Sequence, residues 1–281
     1  MIEPEIIKKI EDFVYKKPRS IQEISSLIQK NWRTADRYIE HIKKNFGTLD
    51  IRIFREGTRG ALKIVYWASL DKASSSVFQE ELEKNILAGK IKYDFAGFDI
   101  FQHVPKNKKH AWIKKGKDES DAGRLREFEE ILLKSEKQIL FFSGNLSFVN
   151  FDDGETNVFN VIEKLVKKGI PIKVVCRVDI GGKENIEKLL SINYKYGKEL
   201  IEIKHREQPL RITIIDDKLA NIKEVKEPTG RDFELNKKTF IFYTLTDKDW
   251  ISWLTRIFWK MFSTSIDAKK RLEEMEKIKK Y

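Results

Sequence analysis

The sequence predicts a chain of mixed α and β structure in two parts, an α+β region at the N-terminus and an α/β region toward the C-terminus. Three helical patterns are followed by two β-rich segments within the first 68 residues. From about residue 121, helical and strand-like segments alternate, which is typical of a sheet with helices packed on it. We therefore predict a first domain at 1–68, a connector at 69–120 and a second domain at 121–281.

The composition argues against a membrane protein, a disulfide-bonded protein and a metal- or cofactor-binding protein. The hydrophobic fraction is 41%, yet no apolar run approaches the roughly 20 residues of a membrane helix, so we expect a cytoplasmic protein without a membrane segment. The single cysteine, Cys176, excludes an internal disulfide and a cysteine-built zinc site, and we interpret it as a core residue. Histidines do not cluster and no glycine-rich phosphate loop is present, so we expect neither a metal nor a cofactor.

The charge of the chain favours an anionic partner. Its net charge is +11, although 44 acidic residues distinguish it from a simple polycation. The first 68 residues carry 14 lysines and arginines against 9 acidic residues, a net charge of +5. The excess positive charge is therefore concentrated in the predicted N-terminal domain.

Three short helices are expected in that domain. The first ends at Pro18, and the second begins with Ser20 and Glu23, a pair that forms a capping box. The third carries apolar residues at helical spacing, and we expect these to face the core: Trp32, Ala35, Ile39, Ile42 and Phe46.

The opposite side of the third helix is polar and basic. An α-helix fits the major groove of DNA, where arginine, threonine and asparagine reach base edges and lysine binds phosphates. The candidate DNA-contacting residues of this segment are Asn31, Arg33, Thr34, Arg37, His41 and Lys44. The alternative is a merely solvated helix face.

A β-hairpin is predicted behind the third helix. Its strands are expected at 51–55 and 61–67, and Arg55, Thr58 and Arg59 lie near its glycine-flanked tip. Helix, turn, helix and basic hairpin together are the layout of a winged helix-turn-helix, which predicts double-stranded DNA as the partner. A plain solvated hairpin tip is the alternative for the three tip residues.

The predicted connector holds few clear signals. Ser74, Ser75 and Ser76 are suited to cap a helix through 77–83, and the aromatic segment 94–101 is expected to be ordered. We interpret the lysine-rich stretch 106–117 as a solvated loop. Because winged-helix proteins commonly bind two half-sites as dimers, this region is a candidate homodimer contact.

In the C-terminal region, a strand ending at Phe142, a helix ending at Gly169 and a strand at 170–178 form a predicted β-α-β unit. Further strands are expected at 200–204, 210–215, 219–225 and 239–243. An apolar stripe through Trp250 is expected to be core, and 269–281 a charged helix.

Open α/β sheets bind ligands beyond the carboxyl ends of their strands. Residues at such positions are candidates for binding a small-molecule effector: Ser143, Gly144, Asn145, Arg177, Arg211 and Asp216. For the first three, a simple strand-to-loop turn is the alternative. For Arg211 and Asp216, the alternative is a structural ion pair.

The C-terminal segment resembles the phospholipase D-like fold. The resemblance lies in the order of a helix, KQILFFSGN, a helix, KKGIPIKVVCR, a helix, a strand and QPLRITIIDDKLANIKE. It is similar to the version found downstream of a winged helix in archaeal TrmB-like transcriptional regulators. That resemblance implies a transcriptional regulator whose C-terminal domain binds an effector or pairs subunits.

The sequence departs from the catalytic motif of active phospholipase D-like enzymes. Active phospholipase D-like enzymes use His-x-Lys followed by four residues and Asp, with histidine attacking phosphorus and lysine binding phosphate oxygens. Here Pro209 stands at the nucleophile position and Arg211 at the lysine position, with Asp216 retained. The nearby run from His205 has glutamate at the phosphate-binding place. His41-Ile42-Lys43 matches His-x-Lys without an aspartate at the right distance.

We therefore predict a sequence-specific, dimeric DNA-binding regulator that is not an enzyme. The two alternatives are an architectural DNA-binding protein of the chromatin type and a phosphodiesterase or nuclease with a rebuilt site.

Overall fold

A computed structural model describes residues 2–16, 19–55, 61–67, 77–115, 129–152, 154, 157–227 and 238–278. The chain divides into two compact units, Met1–Ser74 and Ser75–Tyr281. No helix in the described part of the chain combines the length and apolarity that crossing a bilayer requires.

The smaller unit contains three helices and a three-stranded antiparallel sheet in the order β1-β3-β2. Its elements are α1 (Pro4–Lys16), β1 (Arg19–Ser20), α2 (Ile21–Leu27), α3 (Trp32–Asn45), β2 (Leu49–Arg55) and β3 (Ala61–Trp67). These elements confirm the three predicted helices and the two strands of the predicted hairpin.

Side-chain caps fix where α2 and α3 begin. The Ser20 hydroxyl accepts from the Glu23 backbone N–H at 3.2 Å, and the Glu23 carboxylate accepts from the Ser20 N–H at 2.7 Å. These bonds form the predicted capping box and lower the pKa of Glu23. Asn31 caps α3 by accepting from the Thr34 N–H at 2.9 Å.

The core of this unit is apolar and also holds a buried polar contact. Ile10, Ile24 and Ile39 are fully buried and belong to a cluster that the three helices share with the sheet. The Thr48 hydroxyl donates to the Glu11 carboxylate at 2.6 Å in a buried position. That bond satisfies a carboxylate which would be costly to bury alone.

The prediction that Trp32 faces the core is wrong. Its residue surface is 53% exposed, whereas Ala35 and Ile42 on the same stripe are fully buried. Trp32 is the first residue of α3, and side chains in a helix lean toward its N-terminus. The indole therefore projects past the start of the helix instead of over the layer of the core.

The larger unit is built on an eight-stranded mixed sheet in the order β11-β7-β6-β5-β8-β9-β10-β4. Its strands are β4 (Lys109–Lys115), β5 (Ile139–Phe142), β6 (Ile172–Cys176), β7 (Ile201–His205), β8 (Ile212–Ile215), β9 (Leu219–Lys226), β10 (Thr239–Leu245) and β11 (Ile266–Asp267). Its helices are α4 (Val77–Ala88), α5 (Gly97–Phe101), α6 (Val158–Lys168), α7 (Lys183–Tyr196), α8 (Lys248–Ser263) and α9 (Ala268–Ile278). The predicted α/β character of this region is confirmed.

The sheet has a parallel half and an antiparallel half. β5, β6 and β7 are parallel to one another, with α6 and α7 as the two crossovers, as the β-α-β pattern predicts. Every other pairing in the sheet is antiparallel. α6, α7 and α9 bury one face of the parallel half, and α8 packs on the opposite face, where Phe258 meets Phe142 edge-on.

Cys176 lies within that core as predicted. It is fully buried, and burial raises the pKa of its thiol to about 12. The thiol is therefore held in its unreactive protonated form.

The interpretation of 69–120 as a connector is wrong for its described part, 77–115. α4 and α5 pack against α8 and against β9 and β10 respectively, and β4 pairs with β10 over seven residues. Residues 109–115, expected to form part of a solvated loop, are thus the edge strand of the sheet. Edge strands tolerate lysine and histidine, which conceal the strand in the sequence. Ser74–Ser76, the expected helix cap, lie outside the described residues.

Asp216 fastens the end of β8 to the segment that precedes β5. Its carboxylate accepts from the Ser135 hydroxyl at 2.8 Å and from the backbone N–H groups of Glu136, Lys137 and Gln138 at 2.9–3.1 Å. The residue is 3% exposed and adopts a left-handed backbone conformation with φ of 53°. One side chain therefore satisfies four buried or half-buried donors.

We expect Asp216→Ala to lower the free energy of unfolding by about 2–5 kcal/mol, because it leaves several donors without an acceptor. Urea unfolding followed by circular dichroism measures this change. The matched control is Asp217→Ala, because Asp217 has a 62% exposed side chain and a surface ion pair with Lys137. We expect the control to cost less than about 1 kcal/mol; equal losses in the two variants would contradict the structural role of Asp216.

Candidate nucleic-acid interface and strand-end site

The solvent-facing side of α3 carries a row of basic side chains. Arg33, Arg37, His41 and Lys44 are all exposed, and their spacing of four, four and three residues places them along one face of the helix. Glu40 is an exposed acidic residue on the same side. The structure thus brings together four of the six candidate residues of this segment.

The other two candidates have structural roles. Asn31 is exposed, but its side-chain oxygen is committed to capping α3. Thr34 is half-buried, and its backbone N–H is the donor in that cap. His41 contacts Asn45, whose amide nitrogen lies 2.8 Å from the ring Nδ1.

Two ion pairs remove acidic charge from the neighbourhood of this face. Lys63 of β3 binds Asp36 at 2.7 Å, and Lys43 binds Asp50 at 2.8 Å. The first turn of α3 contains no acidic residue. Arg33 and Arg37 lie instead near aromatic rings, with the Arg33 guanidinium 5.5 Å from the Trp32 ring centroid. The exposed side of α3 is therefore predominantly positive.

The predicted tip of the hairpin is only partly described. Arg55 is the last residue of β2, and its backbone pairs with Ala61 of β3. The Arg55 side chain, Thr58 and Arg59 lie outside the described residues, so their contact with DNA stays a prediction.

A second candidate site lies where the parallel strands end. Ser143 and Gly144 follow β5, and Arg177 follows β6, with its N–H donating to the Gly144 carbonyl at 2.8 Å. The Ser143 hydroxyl accepts from the Leu146 N–H at 3.3 Å. Asn145 is held by its carbonyl, which accepts from Asn185 at 2.9 Å. These residues form an ordered turn at the strand ends.

Arg211 closes over this turn from the start of β8. A Cβ at Gly144 would lie 2.8 Å from an Arg211 guanidinium nitrogen, so the guanidinium packs directly on the Gly144 backbone. The Arg211 guanidinium donates to the carbonyls of Leu210 at 2.6 Å and Gln208 at 3.4 Å. Burial, and next the positive charge of Arg177, lower the pKa of Arg211. Within the described part of the chain Arg211 makes no ion pair, so this half-buried cation is held by neutral acceptors.

The alternative of an ion pair between Arg211 and Asp216 is wrong. They flank opposite ends of β8, whose four residues span about 13 Å, and Asp216 accepts the donors described above. The proposed effector residues therefore separate into two groups, with Asp216 away from the other five. Arg177 is paired with Asp179, Nε to Oδ2 at 2.6 Å.

The structure offers no phosphorus nucleophile at the position that the resemblance would assign to one. That position is the buried Pro209. The neighbouring His205 accepts from the Val178 N–H through Nδ1 at 2.9 Å, and burial lowers the pKa of this histidine. His205 is therefore held in a neutral state in which it serves as a backbone acceptor. No cluster of metal-ligating side chains occurs among the residues described.

Gln208 is a residue of this site that the sequence did not suggest. It is buried, donates to the Ser143 carbonyl at 2.9 Å and accepts from the Leu210 N–H at 2.6 Å. The side chain thereby links the segment before β8 to the turn after β5. The sequence offers little indication of this role, because a glutamine before a proline is ordinarily an exposed loop residue.

No protein-family model and no curated protein matches this chain. Among solved structures, NucT from Helicobacter pylori is similar at 12% identity, covering 57% of this chain and 99% of that one with a TM-score of 0.40. TrmBL2, an archaeal chromatin protein with a novel mode of DNA binding, is similar at 13% identity, covering 93% of each chain with a TM-score of 0.37. Nuc from Salmonella typhimurium, a phospholipase D family member, is similar at 8% identity, covering 56% of this chain and 98% of that one with a TM-score of 0.39. At this level of similarity, none of these proteins lends its partner or activity to the chain.

Proposed function

We propose that the smaller unit is a winged helix-turn-helix that binds double-stranded DNA, with α3 as the recognition helix and the β2–β3 hairpin as the wing. The observation that carries the proposal is the basic row on the exposed side of α3, in a helix whose other side is buried. The neighbouring carboxylates, Asp36 and Asp50, are paired with lysines and so offset little of the positive charge of this row.

The dimensions and charge fit the major groove. α3 has 14 residues and is about 21 Å long, so Arg33 and Arg37 lie in its N-terminal half, where such helices reach base edges. Lys44 lies near the C-terminal end and is placed to bind a phosphate. We assign base contact to the two arginines and backbone contact to Lys44.

For the larger unit we propose a regulatory role without catalysis, in a homodimer. Pro209 at the nucleophile position and the backbone-bound His205 support the absence of phosphodiester cleavage. The half-buried cation of Arg211, held at the strand ends by neutral acceptors, supports the binding of a small effector that carries an anionic group.

We favour a site-specific regulator over an architectural protein, because we assign base contact to Arg33 and Arg37 in addition to the phosphate contact of Lys44. Affinity selection of genomic fragments at about 0.15 M salt, followed by sequencing, tests this. A few recovered fragments sharing an inverted repeat would support a dimeric regulator. Even recovery across the genome would support the architectural alternative.

Arg37→Ala is expected to weaken binding to the selected site by about 1–3 kcal/mol and to relax base preference, because a bidentate base contact is lost. Fluorescence anisotropy with matched and single-mismatch duplexes measures both effects. Lys84→Ala in α4 is the control, because it removes an exposed positive charge from the other unit. Unchanged affinity in Arg37→Ala would remove Arg37 from the interface.

Lys44→Ala is expected to weaken binding to all sequences similarly and to reduce the log–log salt slope by about 0.9, the contribution of one phosphate contact. Titrations over a range of salt concentrations supply the slope. A slope near zero for the unsubstituted protein would contradict electrostatic binding altogether.

Incubation with supercoiled plasmid is expected to yield no nicked or linear product, in EDTA or in Mg²⁺. Both conditions are needed, because chemistry of the phospholipase D type requires no metal. Cleavage that survives repurification would instead support the nuclease alternative, and its loss in Arg211→Ala would locate it at the strand ends.

A further inference from the structure

Trp32 is an exposed aromatic side chain at the start of α3. It is the first residue of the helix, directly after the capping Asn31, and more than half of its surface is accessible. Ala35 and Ile39, on the same apolar stripe, are fully buried. The buried core of the unit therefore does not include the indole, which leaves its exposed surface accessible to a partner.

The immediate surroundings of Trp32 are cationic. The Arg33 guanidinium lies 5.5 Å from the ring centroid, and Lys30 in the preceding turn is exposed. No acidic residue occurs in the first turn of α3. An apolar protein surface would be a poor match for this ring, because it would bury the two positive charges without a counter-charge. A DNA duplex matches both the apolar ring and the two positive charges, because it presents the thymine methyl group in the major groove and phosphates beside the groove.

We infer that the Trp32 indole contacts the 5-methyl groups of thymines in the major groove and thereby sets a preference for thymine in the binding site. This inference rests on the proposed function of α3. Thymine is the base that presents a methyl group in the major groove, and the N-terminal residues of a recognition helix reach the base edges. The indole offers a broad apolar surface there, in addition to the polar readout assigned to Arg33 and Arg37.

The test compares thymine with deoxyuridine, which lacks only the methyl group and keeps the hydrogen-bonding edge. Full-length protein is titrated with the selected duplex and with duplexes in which thymines are replaced one at a time. For the unsubstituted protein we expect binding about four-fold weaker for each contacted methyl removed, from the transfer free energy of one such group.

Trp32→Ala is expected to bind the thymine duplex more weakly and to show no further loss with deoxyuridine. Trp32→Phe retains an aromatic ring and is expected to retain part of the discrimination. Tyr194→Ala is the matched control, because Tyr194 is 72% exposed and lies in the larger unit. It is expected to discriminate as the unsubstituted protein does. Thermal unfolding of each variant establishes that the smaller unit is folded.

Two outcomes would overturn the inference. One is an unchanged affinity in folded Trp32→Ala. The other is the same thymine-to-deoxyuridine ratio in Trp32→Ala as in the unsubstituted protein, which would place the methyl contact elsewhere. Failure of the unsubstituted protein to bind any duplex would instead contradict the proposed function, so the two failures are distinguishable.

Discussion

The larger unit depends on how β8 is anchored. This strand lies antiparallel to both β5 and β9, and so joins the parallel half of the sheet to the antiparallel half. At its C-terminal end, Asp216 accepts a hydroxyl and three backbone N–H groups from the segment before β5. Burying a carboxylate is costly unless its oxygens accept hydrogen bonds. Here the same hydrogen bonds also connect the end of β8 to the segment before β5.

A second set of contacts holds the other end of β8. Gln208 donates to the Ser143 carbonyl, and the Arg211 guanidinium packs on the Gly144 backbone. The result is a cation at the carboxyl ends of the parallel strands, where α/β sheets commonly bind ligands. Pro209 is buried beside this cation, and His205 accepts from a backbone N–H.

In the smaller unit, two ion pairs affect the charge of the surface around α3. Asp36 and Asp50 are engaged by Lys63 and Lys43, which link α3 to the hairpin strands. Exposed pairs of this kind contribute little to stability. Their larger effect is electrostatic, because they leave the arginines of α3 to dominate the exposed side of the helix.

Local signals in the sequence determined much of the secondary structure. The capping box of Ser20 and Glu23, the helical stripe through Ile39 and the buried strands β5 and β6 follow from patterns that span only a few residues. The basic row on α3 follows from the same periodicity, so this part of the candidate site was accessible from the sequence.

Only the tertiary structure decided features that depend on distant residues. The edge strand β4 is defined by its pairing with β10, more than a hundred residues away, and its lysines conceal it in the sequence. Trp32 matches the core stripe by spacing, yet it lies beyond the core because the helix begins at that residue. Arg211 and Asp216 are five residues apart and opposite in charge, which favours an ion pair in the sequence. The four extended residues of β8 lie between them and place them at opposite ends of the strand. Periodicity fixes which face of an element a residue occupies, whereas the packing of whole elements decides what that face meets.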